Sequence, residues 1–320
     1  MIRRREFITG LGGAVSWPVA ARAQQPAMPV IGWLSTRNSE TDAHVLPAFR
    51  RGLNGQGYVE GRNVTIEYRW SDTQDDRLPA LAADLVRRQV AVIAAVGNAG
   101  SVVEAVQAIT ATIPIVSAAV QQSGIVFNRP GSYVTGVYAL FGELGGKRLE
   151  LLHGLLPRAA TIAVLTPLGA SREVTDVQEA ARVLGLELQF LIAGTDRELD
   201  AALASLAQMR PDALMVATGA LLFTRANKIV AAAQQFAIPA MYFRREFALA
   251  GGLVTYGTNT DENFGVMGEY TGRILKGEKP GDLPIQQPTS FEFVINLKTA
   301  KALGITVPPT LLALATEVIE

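Results

Sequence analysis

The feature that most constrains this chain is a repeated alternation of short β-rich runs with longer amphipathic ones. Residues 30–34 (VIGWL) read as a buried strand and 43–56 as a helix. Val64, Ile66 and Tyr68 alternate with polar residues, as in a half-buried strand. A helix follows at 77–88, with Leu78, Leu81, Leu85 and Val86 on one face. Then come strand 90–96, helix 101–110, and strands 113–118 and 133–137. The same grammar returns in helix 146–156, strand 161–165, helix 171–184 and strand 186–192. Helix 198–208, strand 213–217, helix 225–237 and strand 240–243 complete the second set. Individual phrases match in order: Ile113-Pro114-Ile115 with Ile238-Pro239-Ala240, and GSYVTG at 131–136 with GLVTYG at 252–257. Strands separated by helices of this length imply right-handed crossovers and parallel sheets. The fold class expected is therefore α/β, as two doubly wound halves. Ligands of such sheets sit at the carboxyl ends of the strands, where loops from both halves converge.

The N-terminal stretch follows a different rule. Arg3, Arg4 and Arg5 precede Phe7 and an apolar, glycine-rich run at 8–19, and Ala21-Arg22-Ala23 closes it. That order is read as a cleavable export signal over residues 1–23. The paired arginines before Glu6-Phe7-Ile8 resemble a twin-arginine signal. The run is too short, and too broken by glycine, for a permanent membrane anchor. The expected location is periplasmic, without direct insertion in a membrane.

Composition excludes several chemistries. The chain has no cysteine, which rules out disulfides, thiolate catalysis and a lipid-anchoring cysteine. Removing residues 1–23 leaves a slight acidic excess, a net charge of about −3, which argues against nucleic acid as a partner. His44 and His153 lack a second histidine at metal-binding spacing, so no metal or other cofactor is expected. GELGGK at 142–147 lacks the order of a phosphate loop, and no Gly-x-Ser-x-Gly elbow occurs. No catalytic residue is assigned.

Several phrases carry a resemblance. They are AARAQQP at 20–26, PVIGWL at 29–34, GYVEGRNVTIEYRW at 57–70, LPALAADLVRR at 78–88 and FEFVINLKTAKALG at 291–304. Together they closely resemble the ABC-transporter substrate-binding family that includes tryptophan/tyrosine-binding proteins, over nearly all of the chain after residue 23. The resemblance implies two Rossmann-like lobes joined by a hinge, in the periplasmic-binding-protein type I architecture. Lobe 1 is expected over 29–139 plus about 258–282, and lobe 2 over 140–257 plus about 283–320. It further implies a monomer that captures a small solute, an amino acid or related molecule, and hands it to separately encoded permease and ATPase subunits. A ligand-sensing receptor module remains an alternative, as does an exported α/β enzyme using Glu246 or Asp261 as base.

Strand ends nominate the site. In lobe 1 these are Ser35 and Thr36, then Gly97 and Asn98, then Gln121. Hydroxyls, a glycine allowing close backbone approach and an amide suit a polar ligand. In lobe 2 they are Thr166, Thr218, Gly219 and Glu246. Tyr138 and Tyr256 follow the paired glycine-containing strands and could stack on a planar ligand. Trp33 is read as core. Gln121-Gln122 stands where similar proteins often carry Asp-Pro, and Thr166-Pro167-Leu168-Gly169 where they often have Asn-rich loops. An ammonium needs an anionic partner, so the expected cargo is a small carboxylate with an apolar or aromatic body.

Overall fold

The computed structural model of the protein describes residues 28–120, 133–138, 140 and 143–320. The expected signal at 1–23 and the site candidate Gln121 lie outside the described residues. The chain builds two sheets, each between layers of helices. The first contains β1 (Val30–Ser35), β2 (Thr65–Trp70), β3 (Val92–Val96), β4 (Ile115–Val120) and β5 (Val134–Tyr138) in the order β2-β1-β3-β4-β5, all parallel. Connecting them are α1 (Ser39–Ala43), α2 (Leu46–Gly55), α3 (Leu78–Arg87) and α4 (Ala99–Gln107). β3 (VIAAV) is buried along its whole length, as a strand covered on both faces must be.

The second half runs α5 (Gly145–Leu155), β6 (Thr161–Thr166), α6 (Ser171–Leu184), β7 (Glu187–Ile192), α7 (Asp196–Met209) and β8 (Ala213–Val216). It continues through α8 (Ala220–Thr224), α9 (Ala226–Gln235), β9 (Ala240–Tyr242), α10 (Arg245–Leu249) and β10 (Val254–Thr258). The chain then leaves this sheet for α11 (Thr260–Leu275). It returns as β11 (Phe291–Asn296), α12 (Leu297–Ala302), α13 (Pro309–Leu314) and β12 (Glu317–Ile319). The order is β12-β11-β10-β9-β8-β6-β7. One pair departs from the parallel expectation: β11 runs antiparallel to β10. The reason is topological, because the chain re-enters from the hinge end, the end it left.

α11 belongs to the first lobe by packing. Phe264, Met267, Tyr270 and Ile274 join Trp33, Phe49 and Leu53 in one core beneath the first sheet. Each such side chain contributes roughly 1.5–3 kcal/mol on full burial. α2 and α11 meet backbone to backbone. A Cβ on Gly52 would collide with the Gly265 carbonyl, and one on Gly268 with the Phe49 carbonyl. Leu283 also joins this core, and Gln286 bridges to Val137, so the excursion continues past residue 282 to Gln286. The chain passes between sheets after Tyr138, after Thr258 and after Gln286. Backbone bonds tie these passages together: Tyr138 N–H to Gln286 O at 2.7 Å, and Asn259 N–H to Ser290 O at 3.1 Å.

Two helix expectations need correction. The helix expected over about 43–56 starts later, as α2 at Leu46 with Pro47 in its first turn, where no N–H is required, and the short α1 precedes it. The helix expected over 225–237 ends at Gln235 and is preceded by the separate short α8.

Candidate ligand-binding site

A cavity of about 490 Å³ lies between the lobes, a volume suited to a small organic solute. Its first-lobe wall starts at the end of β1. There Ser35 Oγ accepts the Arg37 N–H at 3.0 Å, turning the chain so that Arg37 faces the cavity. Arg37 is 3% exposed. Its Nε lies 3.0 Å from Asp42 Oδ1, and Asp42 Oδ2 accepts the indole N–H groups of Trp33 (2.8 Å) and Trp70 (2.9 Å). The guanidinium sits between two rings, 5.5 Å from Phe223 of the second lobe and 5.6 Å from Phe264 of the first. Burial pulls its pKa down to about 10, with Asp42 opposing and Arg244 adding to the shift, so it stays charged at neutral pH. Its Nη1 is buried and has no hydrogen-bond partner.

The second-lobe wall is built on another buried arginine. Arg148 of α5 donates from Nε to the Tyr256 carbonyl at 2.8 Å. Its Nη1 donates to Glu173 Oε1 of α6 at 2.5 Å and to Thr218 Oγ1 at 3.3 Å. Glu173 Oε2 accepts the Thr218 N–H at 2.9 Å. Burial lowers the Arg148 pKa and raises that of Glu173, each held against the shift by its partner. Arg244, beyond the end of β9, lies 4.5 Å from the Phe223 ring and donates to Thr260 Oγ1 of α11 at 2.6 Å. Nearer the mouth, Glu143 accepts from the Tyr138 hydroxyl at 3.0 Å and pairs with Arg172 at 2.8 Å. Phe223, Phe243 and Phe264 supply aromatic surface. The combination lines a partly aromatic chamber with cationic donors from both lobes.

A model of the ABC transporter substrate binding protein family matches residues 41–319. The chain belongs to that family. A tyrosine-binding protein of Clostridioides difficile (strain R20291) is 25% identical over 263 residues, covering 80% of this chain and 75% of the relative. The crystal structure of a conserved domain protein from Vibrio cholerae is similar at TM-score 0.80 and 23% identity, covering 91% of this chain and 99% of that one. An ABC domain from Streptococcus pneumoniae in complex with L-Trp is similar at TM-score 0.77 and 23% identity, covering 90% and 100%. Both solved structures are likenesses of fold, that of the type I periplasmic binding proteins.

In this substrate-binding protein, five of the residues nominated from strand ends line the cavity: Gly97, Asn98, Tyr138, Thr218 and Gly219. Gly97 has φ +84°, and a Cβ there would strike Thr36 Oγ1. Ser35, Thr36 and Thr166 are buried behind the wall. Thr36 Oγ1 accepts the Asn98 N–H at 2.8 Å, which holds the β3 loop against the β1 loop. Glu246 is off the wall, 3.7 Å from Arg244, and the Tyr256 ring stacks on Phe291 at 6.0 Å while only its carbonyl serves Arg148. Asp261, the other base considered, is exposed and pairs with Arg51. Strand-end reasoning missed Arg37, Arg148, Glu173, Phe223, Arg244 and Phe264. Arg37 stands two residues past a nominated loop. The signal for Arg148 was a cation at the apolar spacing set by Leu144, Leu151, Leu152 and Leu155. Among the described residues, no cluster of His, Asp and Glu could hold a metal ion, and no helix is long and apolar enough to cross a membrane.

Proposed function

We propose that this protein is the solute-capturing component of an ABC importer, closing on a small carboxylate with an apolar or aromatic body. The observation that carries this reading is the buried Arg37, with Nη1 unpartnered and two phenyl rings flanking its guanidinium. A carboxylate on Arg37 would gain a charge-assisted hydrogen bond in a site shielded from water. Tyrosine and tryptophan, named for the Clostridioides and Streptococcus proteins, both combine a carboxylate with an aromatic body. Export through the signal at 1–23 would place a monomeric carrier in the periplasm, where a permease and its ATPase receive the solute. The lobes would comprise 29–139 with 258 to about 286, and 140–257 with the remainder. Gly97, Asn98, Tyr138, Thr218 and Gly219 would frame the ligand around the arginines. Carriage rather than catalysis fits the wall carboxylates Glu143 and Glu173, both already committed to arginines.

The test is a thermal-shift screen of carboxylates, amino acids, sugars and metal ions, with mass spectrometry of whatever co-purifies. Stabilisation by aromatic or apolar carboxylates, recovered unchanged after incubation, is the expected result. Stabilisation by sugars or metal ions alone would overturn the reading, and product formation would make it an enzyme.

A further inference from the structure

The charge balance of the cavity wall separates two ligand classes that share a carboxylate. Among the described residues, four arginines reach the wall (Arg37, Arg148, Arg172 and Arg244) against two acids, Glu143 and Glu173. Glu173 is 4% exposed and fully engaged by Arg148 and the Thr218 N–H. Glu143 is engaged by Tyr138 and Arg172. Two of the three phenyl rings of the wall, whose faces could also receive cations, already carry guanidinium groups. Arg244 and Arg37 lie over Phe223, and Arg37 over Phe264. Among the described residues, an ammonium in this chamber would meet neutral amides and hydroxyls while facing several guanidinium groups.

We propose that the cavity selects aromatic or apolar monocarboxylates that carry no free ammonium, over the α-amino acids with the same side chain. This rests on the reading that the protein captures a carboxylate between its lobes. The physical basis is asymmetric: a carboxylate meets the guanidinium groups of the wall, whereas a buried ammonium without a charged acceptor pays its desolvation unrecovered.

The experiment is isothermal titration of the purified protein with matched pairs differing only in the ammonium. These are 3-phenylpropanoate and L-phenylalanine, 3-(4-hydroxyphenyl)propanoate and L-tyrosine, 3-(indol-3-yl)propanoate and L-tryptophan, and 4-methylpentanoate and L-leucine. In at least one pair the des-amino member is expected to bind about tenfold or more tightly than its partner. An amino acid that binds as tightly as its des-amino counterpart, or more so, overturns this inference and leaves carboxylate capture standing. No binding by any of the eight compounds overturns both. Asn98→Asp adds a carboxylate at an exposed point of the wall and is expected to narrow the ratio. An unchanged ratio in that variant overturns the electrostatic basis of the selection.

Discussion

Arg37 illustrates what a buried charge requires of its surroundings. A guanidinium at 3% exposure survives because Asp42 stands behind it, and Asp42 in turn is oriented by Trp33 and Trp70. Sequence reading placed Trp33 in the core and Ser35 at the site. The arginine two residues further on was not distinguished, because its role depends on Phe223 from the other half of the chain. Long-range partners of this kind leave no local periodicity. On the outer face, Asp84 shows a simpler case. It accepts from Arg69 at 2.6 and 2.9 Å, from Arg87 at 3.0 Å and from Arg88 at 3.2 Å. The hydrogen bonds from Arg69 lead in holding its carboxyl down at about 2, below the ordinary 3.8. A carboxylate depressed in the folded state contributes stability above its ordinary value and loses it as pH falls through the folded one. Asp84→Asn should therefore melt earlier than the parent at pH 7, with the gap closing between pH 4 and 2. Circular-dichroism melts across that range check this, and a gap independent of pH would refute it.

At the scale of elements, most strands were legible because buried parallel strands are short, apolar and β-branched. Helix breaks were less so: Pro47 permits a helix to begin as well as to end, and its sequence signal does not say which. The assignment of 258–282 to the first lobe came from the family resemblance; the helix α11 itself was not read from the pattern, since its face toward α2 is made of glycine rather than of large apolar residues. Gly268 faces the Phe49 carbonyl without room for a Cβ, whereas a Cβ on Gly265 would meet nothing within 4 Å. The two glycines, on one helix, predict opposite outcomes. Gly268→Ala must push α2 and α11 apart and should cost about 1–3 kcal/mol or more. Gly265→Ala should be neutral or gain roughly 0.5–1 kcal/mol from helix propensity. Urea unfolding of both variants measures the difference; equal effects would mean the close helix contact does not exist in solution.

For the whole molecule, the duplicated β/α grammar was the most legible property, since each half must bury its own sheet. The exchange of about 258–282 into the first lobe was expected from the family resemblance, whereas its extension to Gln286 and the antiparallel entry of β11 were not. That exchange produces adjacent hinge passages, pinned by the Tyr138–Gln286 and Asn259–Ser290 backbone bonds. Glu262 reinforces them by accepting from Thr289 and Ser290. The lobes also meet through side chains: Arg37 against Phe223 and, beside the hinge, Arg244 against Thr260. A ligand bridging these groups has more partners in the closed arrangement than in an open one. It can shift the equilibrium only by that difference in affinity. Small-angle scattering of the parent should show a smaller radius of gyration with saturating ligand than without. Arg244→Gln, which removes one interlobe cation, should weaken the ligand and reduce the compaction at a fixed subsaturating concentration. Identical scattering profiles for the free and saturated parent would mean that the cavity is preformed and that ligand entry needs no movement of the lobes.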